Sequence, residues 1–143
     1  MQKAQKSVFI VDDDTFHLEI MQQLLTDEGL NAFTTFTSGV DCLHEIHQNP
    51  DIVFLDHQMD EYSGYETLKK IKRYNPDIFV VMVSAQEDID TAVATLKYGA
   101  FDYIRKDLHL PANIKAVLAK IEEIQALIQA QKPSLLKSLF KFL

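Results

Sequence analysis

Short apolar runs alternate five times with stretches of helical periodicity, and this alternation restricts the fold more than any other feature of the chain. Residues 8–11 (Val-Phe-Ile-Val) are wholly apolar. Phe16, Ile20, Met21, Leu24 and Leu25 follow at helical spacing and stop at Gly29, a residue that ends helices readily. Residues 32–36 read as a second strand, and Ser38 is placed to cap a helix carrying Val40, Leu43 and Ile46. Residues 52–55 are the third run, followed by a helix from Ser63-Gly64 with Tyr65, Leu68 and Ile71 inward. Residues 78–83 are the fourth, and Ile89, Ala92, Val93 and Leu96 mark a helix ending at Gly99. Residues 101–104 are the fifth, before a long helix with Ile114, Val117, Leu118, Ile121, Ile124 and Ile128. Strands this short and apolar are buried on both faces. They require a parallel sheet with helices on either side, joined by right-handed crossovers. The tetrapeptide Asn-Pro-Asp-Ile occurs at 49–52 and again at 75–78, and it reads as one helix-to-strand junction used twice.

A chain of 143 residues is one domain's worth, and 47% hydrophobic with 24% charged residues is an ordinary globular balance. The net charge of −7 repels phosphate backbones, so no nucleic-acid binding by this chain itself is expected. A single cysteine, Cys42, forbids an internal disulfide and suits a reducing cytoplasm. The apolar run at 8–11 is too short for a signal peptide, and none of the runs approaches a bilayer span.

In open parallel sheets, ligands bind beyond the carboxyl ends of the strands. Asp12, Asp13 and Asp14 follow the first run, Asp56 the third, Ser84 the fourth, and Arg105 and Lys106 the fifth. Asp14 or Thr15 is read simply as a helix cap. The other carboxylates would repel one another unless a cation sat among them, and a hard oxygen-ligand ion such as Mg²⁺, or Mn²⁺, suits that set. A carboxylate beside such an ion can attack phosphorus and become an aspartyl phosphate. A lysine and a hydroxyl can hold the other phosphoryl oxygens. His44 and His47 lie near Cys42 without an evident fourth ligand, so a solvated helix face is the simpler reading there.

Four motifs occur in order at these strand ends: Val-Phe-Ile-Val-Asp-Asp-Asp, Ile-Val-Phe-Leu-Asp-His-Gln-Met, Val-Val-Met-Val-Ser-Ala and Gly-Ala-Phe-Asp-Tyr-Ile-Arg-Lys. Together they resemble the receiver domain of two-component response regulators, over about residues 5–128. The resemblance implies a flavodoxin-like, doubly wound (βα)5 fold with a five-stranded parallel sheet in the order 2-1-3-4-5. It implies Asp56 as phospho-acceptor and also a metal ligand, Asp13 as a direct Mg²⁺ ligand, Asp12 acting mainly through water, and the backbone carbonyl of Gln58 as a further ligand. Ser84 and Lys106 would hold the phosphoryl group, Tyr103 would be the aromatic switch, and Gln58 and Gln86 would tune dephosphorylation. The implied protein is a signalling module that catalyses its own phosphorylation, not a conventional enzyme. Its phosphoryl donor would be a sensor histidine kinase or a histidine phosphotransfer protein.

Two positions depart from the family pattern. Asp60 stands where a proline is usual, with Glu61 after it, making that loop more acidic. Asp107 replaces the proline that usually follows the lysine with a cis bond, so a trans bond or a strained one is expected there.

A haloacid-dehalogenase-like phosphatase with an Asp12 nucleophile is the alternative enzyme reading. It fits poorly, because Phe16 occupies the Thr/Val position of that motif and Asp56 would have no role. A degenerate receiver acting only as a protein-binding module is the third reading, against which the full set of reactive groups argues. No output domain follows within these residues, so the expected output is a partner contact, a dimerisation event or onward phosphate transfer. The chain divides into a receiver domain (1–130) and an amphipathic C-terminal tail helix (131–143). Gln131-Lys132-Pro133 is expected to break the long helix, and Ser134 to cap the next one. Leu135, Leu136, Leu139, Phe140 and Leu143 share a face of the tail. Packing on its own domain or in a homodimer is the expected role, with contact with a membrane surface and docking of another protein as the alternatives.

Overall fold

In the computed structural model, residues 5–59, 63–85 and 88–140 are described, with the side chains of the last segment described as far as Gln131. Strands β1 (Ser7–Val11), β2 (Ala32–Phe36), β3 (Ile52–Asp56), β4 (Phe79–Ser84) and β5 (Asp102–Arg105) alternate with helices α1 (Thr15–Asp27), α2 (Gly39–Glu45), α3 (Gly64–Tyr74), α4 (Ile89–Lys97) and α5 (Leu110–Phe140). The sheet is parallel throughout, in the order β2-β1-β3-β4-β5. This is the doubly wound flavodoxin-like order expected from the sequence.

Successive strand residues point to opposite sides, which explains why the strands are apolar without alternation. Val8, Ile10, Ile52, Phe54, Val81, Val83 and Ile104 face α1 and α5. Phe9, Val11, Val53, Leu55, Val80 and Met82 face the side covered by α2 and α3. Helix starts are capped as the residue types dictate: Asp14 accepts from the amides of Phe16 and His17, Ser38 from Asp41, and Ser63 from Glu66. β3, β4 and β5 each end one residue later than the hydrophobic runs suggest. Asp56 and Ser84 therefore end strands and do not open loops, because the parallel ladder pairs Asp56 with Val83 and Ser84 with Arg105.

Two sequence expectations are corrected, and the side that α4 buries is decided. The helix over Ile89, Val93 and Leu96 forms, but these side chains are 76%, 45% and 46% exposed, and Thr95 is the residue that α4 buries. Helical spacing shows that a stripe exists, not which side meets the sheet. The two Asn-Pro-Asp-Ile junctions differ in backbone: Asn49 is left-handed (φ 52°) after a short 3-10 turn, whereas Asn75 is extended (φ −149°). They nevertheless touch, since the Asn75 Nδ2 donates to Asn49 Oδ1 at 3.0 Å. Finally, α5 does not end before Pro133 but continues to Phe140. A proline removes one helical hydrogen bond, and strong helix formers on both sides let the helix absorb that loss. The apolar face read for the tail lies outside the described side chains.

Candidate phospho-acceptor site

The carboxyl edge of the sheet gathers the expected residues from four chain segments. Asp12, at the end of β1, is 2% exposed, and Asp56, the last residue of β3, is 4% exposed. Asp13 is exposed beside them, and one oxygen from each of the three lies within 4.8 Å of the others. Lys106, just after β5, reaches both buried carboxylates: its Nζ is 2.8 Å from Asp12 Oδ2 and 3.2 Å from Asp56 Oδ1. The Lys106 amide donates to the Ser84 carbonyl at 2.8 Å, which ties the lysine to the end of β4. Ser84 itself is fully buried. The Lys106–Asp107 bond is trans, so a lysine without the usual proline still arrives at the site.

Three carboxylates against one ammonium leave two excess negative charges, with Asp12 and Asp56 buried and Asp13 exposed. The two buried acids share Lys106 unequally, and their protonation differs accordingly. Burial, then the charge of Asp12, push the Asp56 carboxyl up to about 6 against the pull of Lys106. Burial also penalises Asp12, but His17, Lys106 and the Asp14 amide together outweigh it and bring that carboxyl down to about 2. Burial penalises the Lys106 ammonium as well, yet its bond to Asp12 and the charges of Asp56 and Asp12 shift it upward overall. A divalent, oxygen-seeking cation would cancel the two excess charges, so this donor set fits Mg²⁺.

Asp13, His57, Gln58 and Tyr103 line a cavity of about 550 Å³ beside the acids. The backbone amide of Gln58 draws the Asp56 carboxyl downward, against burial. The Tyr103 hydroxyl is buried without a hydrogen-bond partner, and its ring centroid is 6.4 Å from that of His57. Gln86, Asp60 and Glu61, singled out in the sequence, lie outside the described residues.

Two residues of this site carry no evident sequence signal. His17, on α1, sits with Nδ1 2.9 Å from Asp12 Oδ2. A lone histidine in a helical pattern does not announce such a contact. Gly64, at the start of α3, lies against the Asp56 carbonyl so closely that a Cβ would collide with it. The sequence shows that a helix begins there, but not what it begins against.

A doubly wound sheet with three carboxylates, a lysine and a buried serine at one carboxyl edge defines a phospho-accepting signalling module. The model of the response regulator receiver domain matches residues 8–131, and the chain belongs to that family. Among curated relatives it is 37% identical over 134 residues to the transcriptional regulatory protein ZraR of Escherichia coli K12, covering 93% of this chain and 30% of that protein. It is 32% identical over 126 residues to the DNA-binding transcriptional regulator NtrC of the same strain, covering 87% and 26%. The chain thus spans less than a third of the length of these relatives.

Among solved structures, it matches a CheY-like receiver domain protein from Methanospirillum hungatei JF-1 with a TM-score of 0.76 and 26% identity, covering 86% and 98% of the two chains. It also matches a chain of the CheX–CheY–BeF3–Mg complex of Borrelia burgdorferi with a TM-score of 0.74 and 29% identity, covering 80% and 87%. Family membership removes the haloacid-dehalogenase-like alternative. Among the described residues, no helix is long and apolar enough to cross a membrane.

Proposed function

We propose that Asp56 accepts a phosphoryl group from the phosphohistidine of a sensor histidine kinase or a histidine phosphotransfer protein, in a Mg²⁺-dependent reaction in the cytoplasm. The observation that carries this reading is the buried Asp56 carboxylate, 3.2 Å from Lys106 Nζ and grouped with Asp12 and Asp13. An Asp56 oxygen attacks phosphorus and the P–N bond of the donor breaks, with its electron pair left on the imidazole. Lys106 neutralises charge on the transferred group, and the Ser84 hydroxyl donates to one of its oxygens. Mg²⁺ would supply neutralisation of the charge on the transferred group. Asp13, exposed to the cavity, would hold it directly, with the Gln58 carbonyl. Asp12, already engaged by protein donors, would act through water.

The output surface runs along α4, where Ile89, Val93 and Leu96 are exposed, to β5 with Tyr103, whose ring responds to the position of Ser84. A partner or second copy that prefers one arrangement of this face reads the phosphorylation state. Gln58 and Gln86 tune access of water to the aspartyl phosphate. Treatment with acetyl phosphate and Mg²⁺ should add one phosphoryl mass to the intact chain, and Asp56→Asn should abolish the addition. A full mass increase in Asp56→Asn would overturn the assignment.

We further propose that residues 131–143 form a tail that stabilises a dimer or its own domain, and do not belong to the receiver. Removing residues 133–143 should lower the melting temperature or shift the mass in solution toward monomer while leaving phosphorylation intact. Unchanged stability and mass, with the full chain binding anionic vesicles, would favour a membrane role for the tail instead.

A further inference from the structure

Asp12 has more partners than a water-mediated metal contact requires. Its Oδ1 accepts from the Asp14 amide at 2.9 Å, and its Oδ2 from Lys106 Nζ at 2.8 Å. A third group approaches the same Oδ2: His17 Nδ1, at 2.9 Å. His17 is 9% exposed, its Nε2 has no hydrogen-bond partner, and Nδ1 approaches the carboxylate without hydrogen-bond alignment. The Asp14 side chain accepts from the His17 amide at 3.4 Å, so the cap that follows Asp12 also places the histidine backbone. A buried ring with no satisfied nitrogen, set against a carboxylate, is a donor held in reserve.

We infer that His17 is a positioning residue for Asp12: it bears on Oδ2 beside Lys106 in the unphosphorylated chain, and takes that oxygen over when Lys106 turns toward the phosphoryl group on Asp56. This rests on the reading of Asp56 as acceptor and Asp12 as part of the Mg²⁺ site. Lys106 serves two carboxylates at once, at 2.8 and 3.2 Å. Once Asp56 carries a phosphoryl group, the new oxygens draw Lys106, and Asp12 Oδ2 loses its strongest donor. With a proton on Nδ1, His17 needs only a ring adjustment to donate there. It holds Asp12 in the orientation that the metal site uses, and it weakens the hold of Asp12 on Lys106 before transfer. Partners outside the ligand set commonly tune metal sites in this way.

The test compares His17→Leu and His17→Met, which remove the nitrogens, with His17→Asn, whose side-chain N–H stands near the place of Nδ1. Mg²⁺ affinity is measured by calorimetric titration, the rate of phosphoryl incorporation from acetyl phosphate by intact mass, and stability by thermal melts. The Leu and Met variants should bind Mg²⁺ roughly 10-fold more weakly and accept phosphate correspondingly more slowly, with Asn recovering most of both. A merely structural role would move the melting temperature and leave Mg²⁺ affinity alone. The inference is overturned if Leu and Met bind Mg²⁺ and react as the wild type does, or if Asn falls as far as they do. A wild-type chain that neither binds Mg²⁺ nor takes up phosphate overturns the underlying reading and the inference with it. An active wild type with unaffected variants overturns the inference alone.

Discussion

Asp56→Asn should make the metal-free protein more stable at neutral pH, while Lys106→Met should make it much less stable. Asp56 is buried, and its carboxyl is held up to about 6 by burial and by the charge of Asp12. A carboxyl whose proton is bound more tightly in the folded than in the unfolded state contributes stability at low pH. That stability is lost as pH rises through the folded value. The wild type therefore loses about 3 kcal/mol between roughly pH 4 and pH 7 that the asparagine variant keeps. At pH 7.5 without Mg²⁺ the variant should melt roughly 10 °C higher, and at pH 4 the advantage should vanish. Asp12 works in the opposite sense. Its carboxyl is held down to about 2, so its contribution is present at neutral pH and lost only as pH falls through that value.

Lys106 is the only cation that the structure places within 4.0 Å of both acids among the described residues. Removing it leaves two buried carboxylates facing each other and should cost roughly 3–5 kcal/mol. In the Asp56→Asn background the same change should cost clearly less, because one of the stranded charges is gone. Thermal melts of the four proteins across pH provide the measurement. Asp56→Asn melting at or below the wild type at pH 7.5 without Mg²⁺ would refute the charge imbalance on which the metal argument stands.

Gly64→Ala should damage both stability and phosphorylation, for a reason of space alone. The Gly64 amide donates to the His57 carbonyl at 3.0 Å, and an added Cβ would meet the Asp56 carbonyl oxygen and the His57 Cα. Both obstacles are backbone, so neither can rotate away. The first turn of α3 must lift, or the segment from Asp56 to Gln58 must shift. Overpacking of this kind costs about 3 kcal/mol at the upper end of its usual range. A displacement near 1 Å at the acceptor should slow phosphoryl uptake by roughly 100-fold. Gly29→Ala is the control. Gly29 has φ +87° and nothing within 4 Å of a built Cβ, so alanine there should cost about 1 kcal/mol of backbone strain and leave phosphorylation unchanged. Equal phosphorylation rates in Gly64→Ala and the wild type would show that α3 does not position the acceptor.

The alternation of apolar runs and helical stretches was enough to determine the sheet, its parallel sense and the edge on which chemistry would be found. Once each strand is followed by a crossover helix, every strand ends on the same side. Asp12, Asp13, Asp56, Ser84 and Lys106 then lie on that one edge however far apart they stand in the chain. The motif order added their roles through the family resemblance.

The tertiary structure alone decided how those groups share their partners. Lys106 divides itself between Asp12 and Asp56, His17 turns its Nδ1 to the same Asp12 oxygen, and Gly64 lies on the Asp56 carbonyl. It also decided that α4 shows Ile89, Val93 and Leu96 to solvent and buries Thr95. Periodicity is a property of one helix, whereas burial and hydrogen bonding depend on the distance and angle at which another segment arrives. Lys106 and Asp12 are 94 residues apart, and their 2.8 Å contact exists only because three parallel ladders, β1 with β3, β3 with β4 and β4 with β5, carry one strand end to the other.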